Sequence, residues 1–158
     1  GPHKIDAPQR VLYRELCARL GDLLPFEDSN KIGDEDLGYR FLIARCWDVG
    51  LAAVLLREYL QWRREWRVDT VLHDVFSPEI PQQFRGGFHG SDLGGRPVYY
   101  ERLNPKGIGL LLRTFDKETL LRWHFYVIER GRERYRLSGH DRLTIVLDAG
   151  QIGMQILT

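Results

Sequence analysis

Asp92-Leu93-Gly94-Gly95-Arg96-Pro97-Val98-Tyr99-Tyr100-Glu101-Arg102-Leu103 is the stretch whose reading decides the fold. Gly94 and Gly95 accept positive φ without steric cost. Pro97 fixes φ and donates no hydrogen bond, which suits the first residue of a strand. Val98, Tyr99 and Tyr100 then have high β propensity. The stretch predicts a glycine turn feeding directly into a strand whose two tyrosines point to opposite faces, one to the interior and one to a helix or cavity. Everything before it reads as helical. The chain beyond Leu103 reads as helix and then strand.

Upstream, residues 8–20 carry Leu12, Leu16 and Leu20 at a four-residue spacing, with Gly21 as a stop. Pro25 marks a turn and residues 26–33 read as polar connector. Asp34 is a candidate N-cap for a second helix with Leu37, Phe41, Leu42 and Arg45 on one side, and Asp48 for a third. In the third helix Leu51, Leu55, Tyr59, Trp62 and Trp66 form the expected apolar stripe. Residues 69–76 read as a further short turn or helix, and Pro78 and Pro81 break the pattern. Downstream, residues 104–112 contain Pro105, Gly107 and Gly109 and read as a loop. Asp116 caps a long helix reaching about Arg136, with Leu120, Leu121, Phe125, Val127 and Ile128 on its apolar side. Leu143-Thr144-Ile145-Val146-Leu147 is a continuous apolar run, which predicts a strand buried on both faces. Strand, helix and strand make a right-handed parallel β-α-β crossover. The expected fold is α/β: a three- to four-helix domain over residues 4–80, then an α/β domain over residues 81–158. The tail Gly153-Met154-Gln155-Ile156-Leu157-Thr158 is apolar again. Two strands and one helix do not cover both faces of a buried sheet. The expectation is therefore an incomplete fragment, or copies that complete each other.

Among 158 residues, 23 are Lys or Arg and 22 are Asp or Glu, a formal net charge of +1. That balance gives no global case for nucleic acid. Cys17 and Cys46 are read as free thiols in a reducing compartment, with a disulfide as the alternative. No apolar run approaches the ~20 residues of a membrane-spanning helix. Gly1-Pro2-His3 has the look of a protease-tag scar and is set aside. His3, His73, His89, His124 and His140 lack metal-ligand spacing, no G-x-S-x-G occurs, and Gly107-Ile108-Gly109 lacks the third glycine of a dinucleotide loop. No metal and no cofactor is expected. An enzyme built on Asp148 and His140 is disfavoured for want of an assembled site. Arg130, Arg132, Arg134 and Arg136 cluster at the end of the long helix. They read either as a solvated face favoured by the helix dipole or as contacts for anionic headgroups. Arg45, beside Phe41 and Leu42, must snorkel outward or pair with an anion.

Five stretches together resemble the CRAL-TRIO lipid-binding family. They are Tyr39-Arg40-Phe41-Leu42-Ile43-Ala44-Arg45-Cys46-Trp47-Asp48-Val49; Tyr59-Leu60-Gln61-Trp62-Arg63 with Val68-Asp69-Thr70; the stretch from Asp92 to Leu103; Leu120-Leu121-Arg122-Trp123-His124 through Glu129; and Thr144-Ile145-Val146-Leu147-Asp148-Ala149-Gly150. They keep the family's order and spacing over residues 10–153. The resemblance implies a helical N-terminal domain followed by the first β-α-β part of a lipid-binding α/β domain, and a non-enzymatic protein that binds a phospholipid in an apolar cavity and transfers or presents it. It implies a phosphoinositide as ligand, with Arg45 at the phosphate and Tyr99, Tyr100 and Phe125 lining the cavity. Arg130 and Arg134 would then contact the headgroup or membrane. Cys46 stands where the family pattern has a lysine. The resemblance further implies a cytoplasmic, peripheral-membrane location and transient membrane contact. The alternative is a scaffold or regulatory module of the same fold, acting through protein contacts or a domain-swapped homo-oligomer.

Overall fold

The computed structural model describes residues 5–21 and 34–150. The connector at 26–33, the turn at Pro25 and the apolar tail at 153–158 lie outside them. The chain divides into two compact units, Gly1–Asp69 and Thr70–Thr158.

The first unit holds α1 (Ala7–Leu20), α2 (Asp34–Ala44) and α3 (Val49–Glu65). Asp6 opens α1 with a reciprocal capping box: its Oδ1 accepts from the Gln9 amide at 2.8 Å, and Gln9 Oε1 accepts from the Asp6 amide at 3.0 Å. Asp48 caps α3 as the sequence predicts, accepting from the Leu51 amide at 2.9 Å. Asp34 is the first residue of α2 rather than its cap. Leu16, Leu20, Leu42, Ala52 and Leu56 form the buried centre of the unit.

Two expectations change here. The buried face of α3 is Val49, Ala52, Ala53, Leu56 and Arg63, whereas Leu51 is 57% exposed. Small alanines let neighbouring helices approach closely, so counting bulky residues picked a stripe rotated away from the true one. The semi-buried arginine is Arg63, not Arg45. Arg63 donates to Asp69 Oδ1 from Nε at 2.8 Å and to the Tyr59 hydroxyl at 3.0 Å, a pairing that makes its burial tolerable. Arg45 is exposed, because α2 ends at Ala44 and Arg45 sits in the turn beyond it.

That turn is a Schellman closure. The Trp47 amide donates to the Leu42 carbonyl at 2.7 Å and the Cys46 amide to the Ile43 carbonyl at 3.1 Å. It places Cys46 at φ 51° and Trp47 at φ 67°, a region disfavoured for side chains with a Cβ. Replacing Cys46 by glycine is expected to stabilise the protein by about 1 kcal/mol, relief of strain exceeding the added unfolded-state entropy. Urea denaturation checks this; a lowered midpoint would show that the thiol packs favourably.

The second unit contains a three-stranded sheet in the order β1-β2-β3: β1 (Gly86–Ser91), β2 (Pro97–Arg102) and β3 (Thr144–Asp148). β1 and β2 are antiparallel, and β2 and β3 parallel. α5 (Pro105–Thr114) and α6 (Lys117–Leu137) fill the crossover, and α4 (Glu79–Phe84) precedes β1. A 3-10 helix, Val68–His73, occupies the short element expected near residue 69. The helical bundle followed by a mixed sheet with flanking helices matches the opening β-α-β part of a CRAL-TRIO-like α/β domain. Pro97 starts β2 and Asp116 caps α6 through the Thr119 amide at 2.7 Å, both as the sequence predicts.

Three features correct the sequence reading. The segment before the glycine turn is not wholly helical: β1 pairs Phe88 with Tyr99 and Gly86 with Glu101. Residues 104–112 are not a loop. Asn104 caps α5, Pro105 takes a first-turn position where its missing N–H costs nothing, and Leu111 is buried with Ile80 and Leu120. β3 is not buried on both faces: Ile145 is 60%, Val146 43% and Leu147 56% exposed. Its apolar run asks for a cover that the described residues do not provide.

α6 meets the sheet at Gly131, where an added Cβ would lie 2.6 Å from Leu143 Cδ2 and 3.3 Å from Phe88 Cζ. The glycine turn is held by one carboxylate. Asp92 Oδ1 accepts from the Gly94 amide at 2.9 Å and the Arg96 amide at 3.0 Å. Its Oδ2 accepts from Arg96 Nε at 2.8 Å and from the Thr144 hydroxyl of β3 at 2.7 Å. The Thr144 bond first, then those from Arg96 and Gly94, hold the carboxyl down at about 2. Because its folded pKa lies below the ordinary 3.8, Asp92 stabilises the fold fully above that value and ceases to as pH falls toward 2. Asp92→Asn is expected to lower the melting temperature at neutral pH and to flatten the loss of stability across this acid window. Melts recorded as a function of pH test it; an acid limb with wild-type slope would count against it.

Candidate functional site

β2 divides its two tyrosines between the faces of the sheet. Tyr99 is buried, with its ring 4.9 Å from that of Phe88, centroid to centroid. Burial first, then the Glu101 carboxylate two residues on, by its charge and as a hydrogen-bond acceptor, push the Tyr99 phenol up to about 12. Tyr100 points the other way and is 46% exposed. Beside its register partner Val146 it lines an open groove of about 320 Å³ with Arg85, Glu101, Arg102 and Asp148. Arg102 Nε donates to Asp148 Oδ2 at 2.8 Å across the ends of the parallel strands. That pair, together with the Gly150 amide, lowers the Asp148 pKa, the amide contributing most. Asp148 is thus committed to a strand end.

The remaining sequence-predicted residues are not gathered around this groove. Phe125 is buried on α6 and is not among the groove-lining residues. Arg130 pairs with Glu133 at 2.7 Å, and the guanidinium of Arg134 lies 4.8 Å from the centre of the Phe88 ring. Arg132, read as part of an arginine-rich solvated face, is buried beside Glu129. The side chain of Arg45, in the first unit, has no hydrogen-bond or ion-pair partner among the described residues. Cys17 and Cys46 are free thiols.

Sequence reading missed Arg85 and Arg102. Arg102 was recoverable, since drawing the two predicted strands in parallel register sets it opposite Asp148. Arg85 left no signal, because its position depends on a left-handed cap, φ 49°, after a six-residue helix that the sequence pattern does not reveal.

No family model matches the chain. Individual relatives do. Protein real-time from Drosophila pseudoobscura pseudoobscura is 33% identical over 139 residues, covering 78% of this chain and 21% of its own length. Phosphatidylinositol/phosphatidylcholine transfer protein SFH9 from Arabidopsis thaliana is 38% identical over 122 residues, 75% of this chain and 20% of its own. Phosphatidylinositol/phosphatidylcholine transfer protein SFH4 from the same plant is 37% identical over 102 residues, 63% and 17% respectively. Over this shared stretch the chain is CRAL-TRIO-like. It spans about a fifth of the length of the curated relatives it matches.

Tyr99 and Tyr100 both lie on β2, the middle strand of the sheet. Among the described residues no cluster of histidine, cysteine and carboxylate could hold a metal ion, and no helix is long and apolar enough to cross a membrane. The raised Tyr99 pKa makes a distinct prediction for this sheet. A phenol whose folded pKa is about 12 rather than 10 stabilises the fold below pH 10 and loses that contribution as pH rises to 12. In an alkaline absorbance titration Tyr99 is expected to give a late ionisation step at about pH 12. Tyr99→Phe should remove that late step and leave the earlier ones unchanged; persistence of the late step would assign it elsewhere.

Proposed function

We propose that this chain is part of a non-enzymatic lipid-binding protein that takes up a phospholipid, with phosphoinositides preferred, and transfers or presents it at membranes. The observation that carries the reading is the Tyr100–Val146 face of the sheet, apolar, exposed and edged by Arg85, Glu101 and the Arg102–Asp148 pair. The names of the plant relatives, phosphatidylinositol/phosphatidylcholine transfer proteins, support it. Burial of acyl methylenes against such a face supplies ~0.8 kcal/mol per CH₂ and needs no bond making or breaking. On this reading Tyr100 contacts the acyl chains, and Tyr99 and Phe125 shape the wall behind. Arg45, which belongs to the other unit, stands as a separate candidate for binding a phosphate. A guanidinium fork matches phosphate oxygens and the Arg45 fork is uncommitted. Arg130 and Arg134 stand as headgroup or membrane contacts, although each already has a local partner.

The test uses the full-length protein that contains this chain. Lipid extracted from it and identified by mass spectrometry is expected to include phosphatidylinositol. Tyr100→Asp is expected to reduce phospholipid uptake about tenfold by placing a charge against acyl chains. Arg45→Gln should weaken uptake of phosphatidylinositol more than of phosphatidylcholine. A protein purified empty that takes up neither labelled lipid would overturn the reading.

A second reading rests on β3, whose apolar residues are exposed and which ends the strand order. An open strand edge favours pairing with another chain, so a scaffold acting by self-association or strand addition fits that feature. Light scattering separates the two: a concentration-independent monomer removes the self-association form.

A further inference from the structure

A second concavity, which shares Arg85 with the Tyr100–Val146 groove, lies between the end of α4 and the first turn of α5. Its volume is about 730 Å³, and Gln83, Arg85, Asn104, Lys106, Gly107 and Leu110 line it. None of these side chains is acidic. Neither Arg85 nor Lys106 has a hydrogen-bond or ion-pair partner for its side chain among the described residues. Most other arginines of this unit are engaged: Arg96 with Asp92, Arg102 with Asp148, Arg122 with Asp74, Arg130 with Glu133 and Arg142 with Asp141. Arg85 and Lys106 are uncommitted cations that face one groove.

The walls are built rather than casual. Asn104 is 6% exposed, and its Nδ2 donates both to the Gln83 carbonyl and to Gln83 Oε1, each at 3.2 Å. Its Oδ1 accepts from the Gly107 amide at 3.2 Å, so one buried side chain ties α4 to α5. An added Cβ at Gly107 would collide with Asn104 Nδ2 and Gln83 Oε1, which makes glycine a requirement of this junction. The Arg85 backbone is pinned on both sides: its amide donates to the Pro81 carbonyl at 3.0 Å and its carbonyl accepts from the Arg102 amide at 3.2 Å. The Gln83 carboxamide oxygen is occupied by Asn104, which leaves its nitrogen as a neutral donor.

We propose that this groove is a phosphate-binding site, with Arg85 and Lys106 as the charged donors and Gln83 as a neutral one. The chemistry recognised is a phosphate ester beside an apolar or glyceryl portion that can lie against Leu110. A lipid headgroup and a soluble phosphate ester share it. The site does not depend on a closed lipid cavity, because all of its lining residues belong to α4, α5 and their cap residues Arg85 and Asn104.

The experiment uses the full chain and two probes. One is glycerol phosphate, followed through backbone amide shifts; the other is vesicles of phosphatidylcholine with about one-fifth phosphatidic acid, followed by co-sedimentation, with pure phosphatidylcholine as reference. The variants are Arg85→Gln with Lys106→Gln, and Arg113→Gln as a control that removes a cation from α5 outside the groove. Expected is saturable binding of at least one probe, with the Lys106 and Gly107 amides shifting. The double variant should weaken it about tenfold, loss of two charge-assisted hydrogen bonds, while the control changes it less than about twofold. Glycerol phosphate binding without vesicle binding assigns a soluble ester, and vesicle binding alone assigns a headgroup; both support the site. Equal losses in the double variant and the control would show diffuse electrostatic attraction and overturn it, as would failure of both probes. Gly107→Ala, which displaces Asn104 without altering charge, should also weaken binding; wild-type affinity in a folded Gly107→Ala protein would overturn the built-site argument. Acyl-lipid uptake by the full-length protein is a separate readout, so either proposal can fail alone.

Discussion

The carboxylate of Asp92 joins three parts of the second unit that nothing else brings together at one point. It closes the glycine turn through the Gly94 and Arg96 amides, fixes Arg96 as β2 begins, and receives the Thr144 hydroxyl from the start of β3. Apart from Phe88, which packs on Tyr99 and against the Arg134 guanidinium, β1 has little else to hold it. Three of its six residues are glycines, its burial is slight, and its register with β2 is interrupted between Phe88 and Ser91. A strand of that composition gains little from propensity or cross-strand packing, so the turn must set its register. β3 poses the opposite problem. It is apolar and pairs well, but it reaches β2 only after α5 and α6, and long crossovers carry a closure cost. Thr144–Asp92 clamps one end of that parallel pair and Arg102–Asp148 the other. The second clamp is half exposed on both sides and adds little by itself. The first is more shielded and does more.

The elements visible in the sequence are those whose signal is local. Asp48 and Asp116 announce α3 and α6 because a cap needs only its own next turn. Pro97 marks β2 because a proline constrains its own φ wherever it lies. The elements that escaped depend on contacts the chain pattern does not encode. α5 carries Pro105, Gly107 and Gly109 within five residues, a loop composition by any local rule. It is helical because Asn104 caps it, Pro105 occupies a position that tolerates proline, and Leu111 has Ile80 and Leu120 to bury against. β1 is a strand because β2 lies beside it. Arginine burial shows the same limit: Arg45 sits near apolar residues in sequence yet is exposed, while Arg63 looks like surface and is buried because Asp69 and Tyr59 receive it.

The candidate site was legible in part. Alternation along a strand put Tyr99 and Tyr100 on opposite faces, and the structure keeps that division. Alternation does not say which face is filled. Phe88 and Gly131 decide it: the close approach of α6 at Gly131 seats Phe88 against Tyr99 and leaves Tyr100 on the open side. The cationic edge of that side was invisible, because Arg85 comes from a segment whose helix and cap are products of tertiary packing.

The exposed apolar residues of β3 bear on function through their geometry more than through their number. Full burial of a side chain such as Ile145 or Leu147 is worth roughly 1.5–3 kcal/mol, and an acyl chain or a protein surface would gain it alike. The backbone separates the two. A strand added at the β3 edge is recognised by main-chain N–H and C=O groups in the plane of the sheet, whatever the side chains are. An apolar ligand is recognised on a face, by side chains alone, and it benefits from polar groups only at one end. Tyr100 and Val146 form such a face, and Arg85 and Arg102 stand along its border. Arg102 is held there by Asp148 and is therefore fixed in place, while Arg85 keeps its charge uncommitted. Glu101 and Asp148 line the same groove, so its border is mixed in charge, with Asp148 paired to Arg102. An apolar floor with charged groups along its border has the polarity of an amphiphile, and a bare strand edge requires neither.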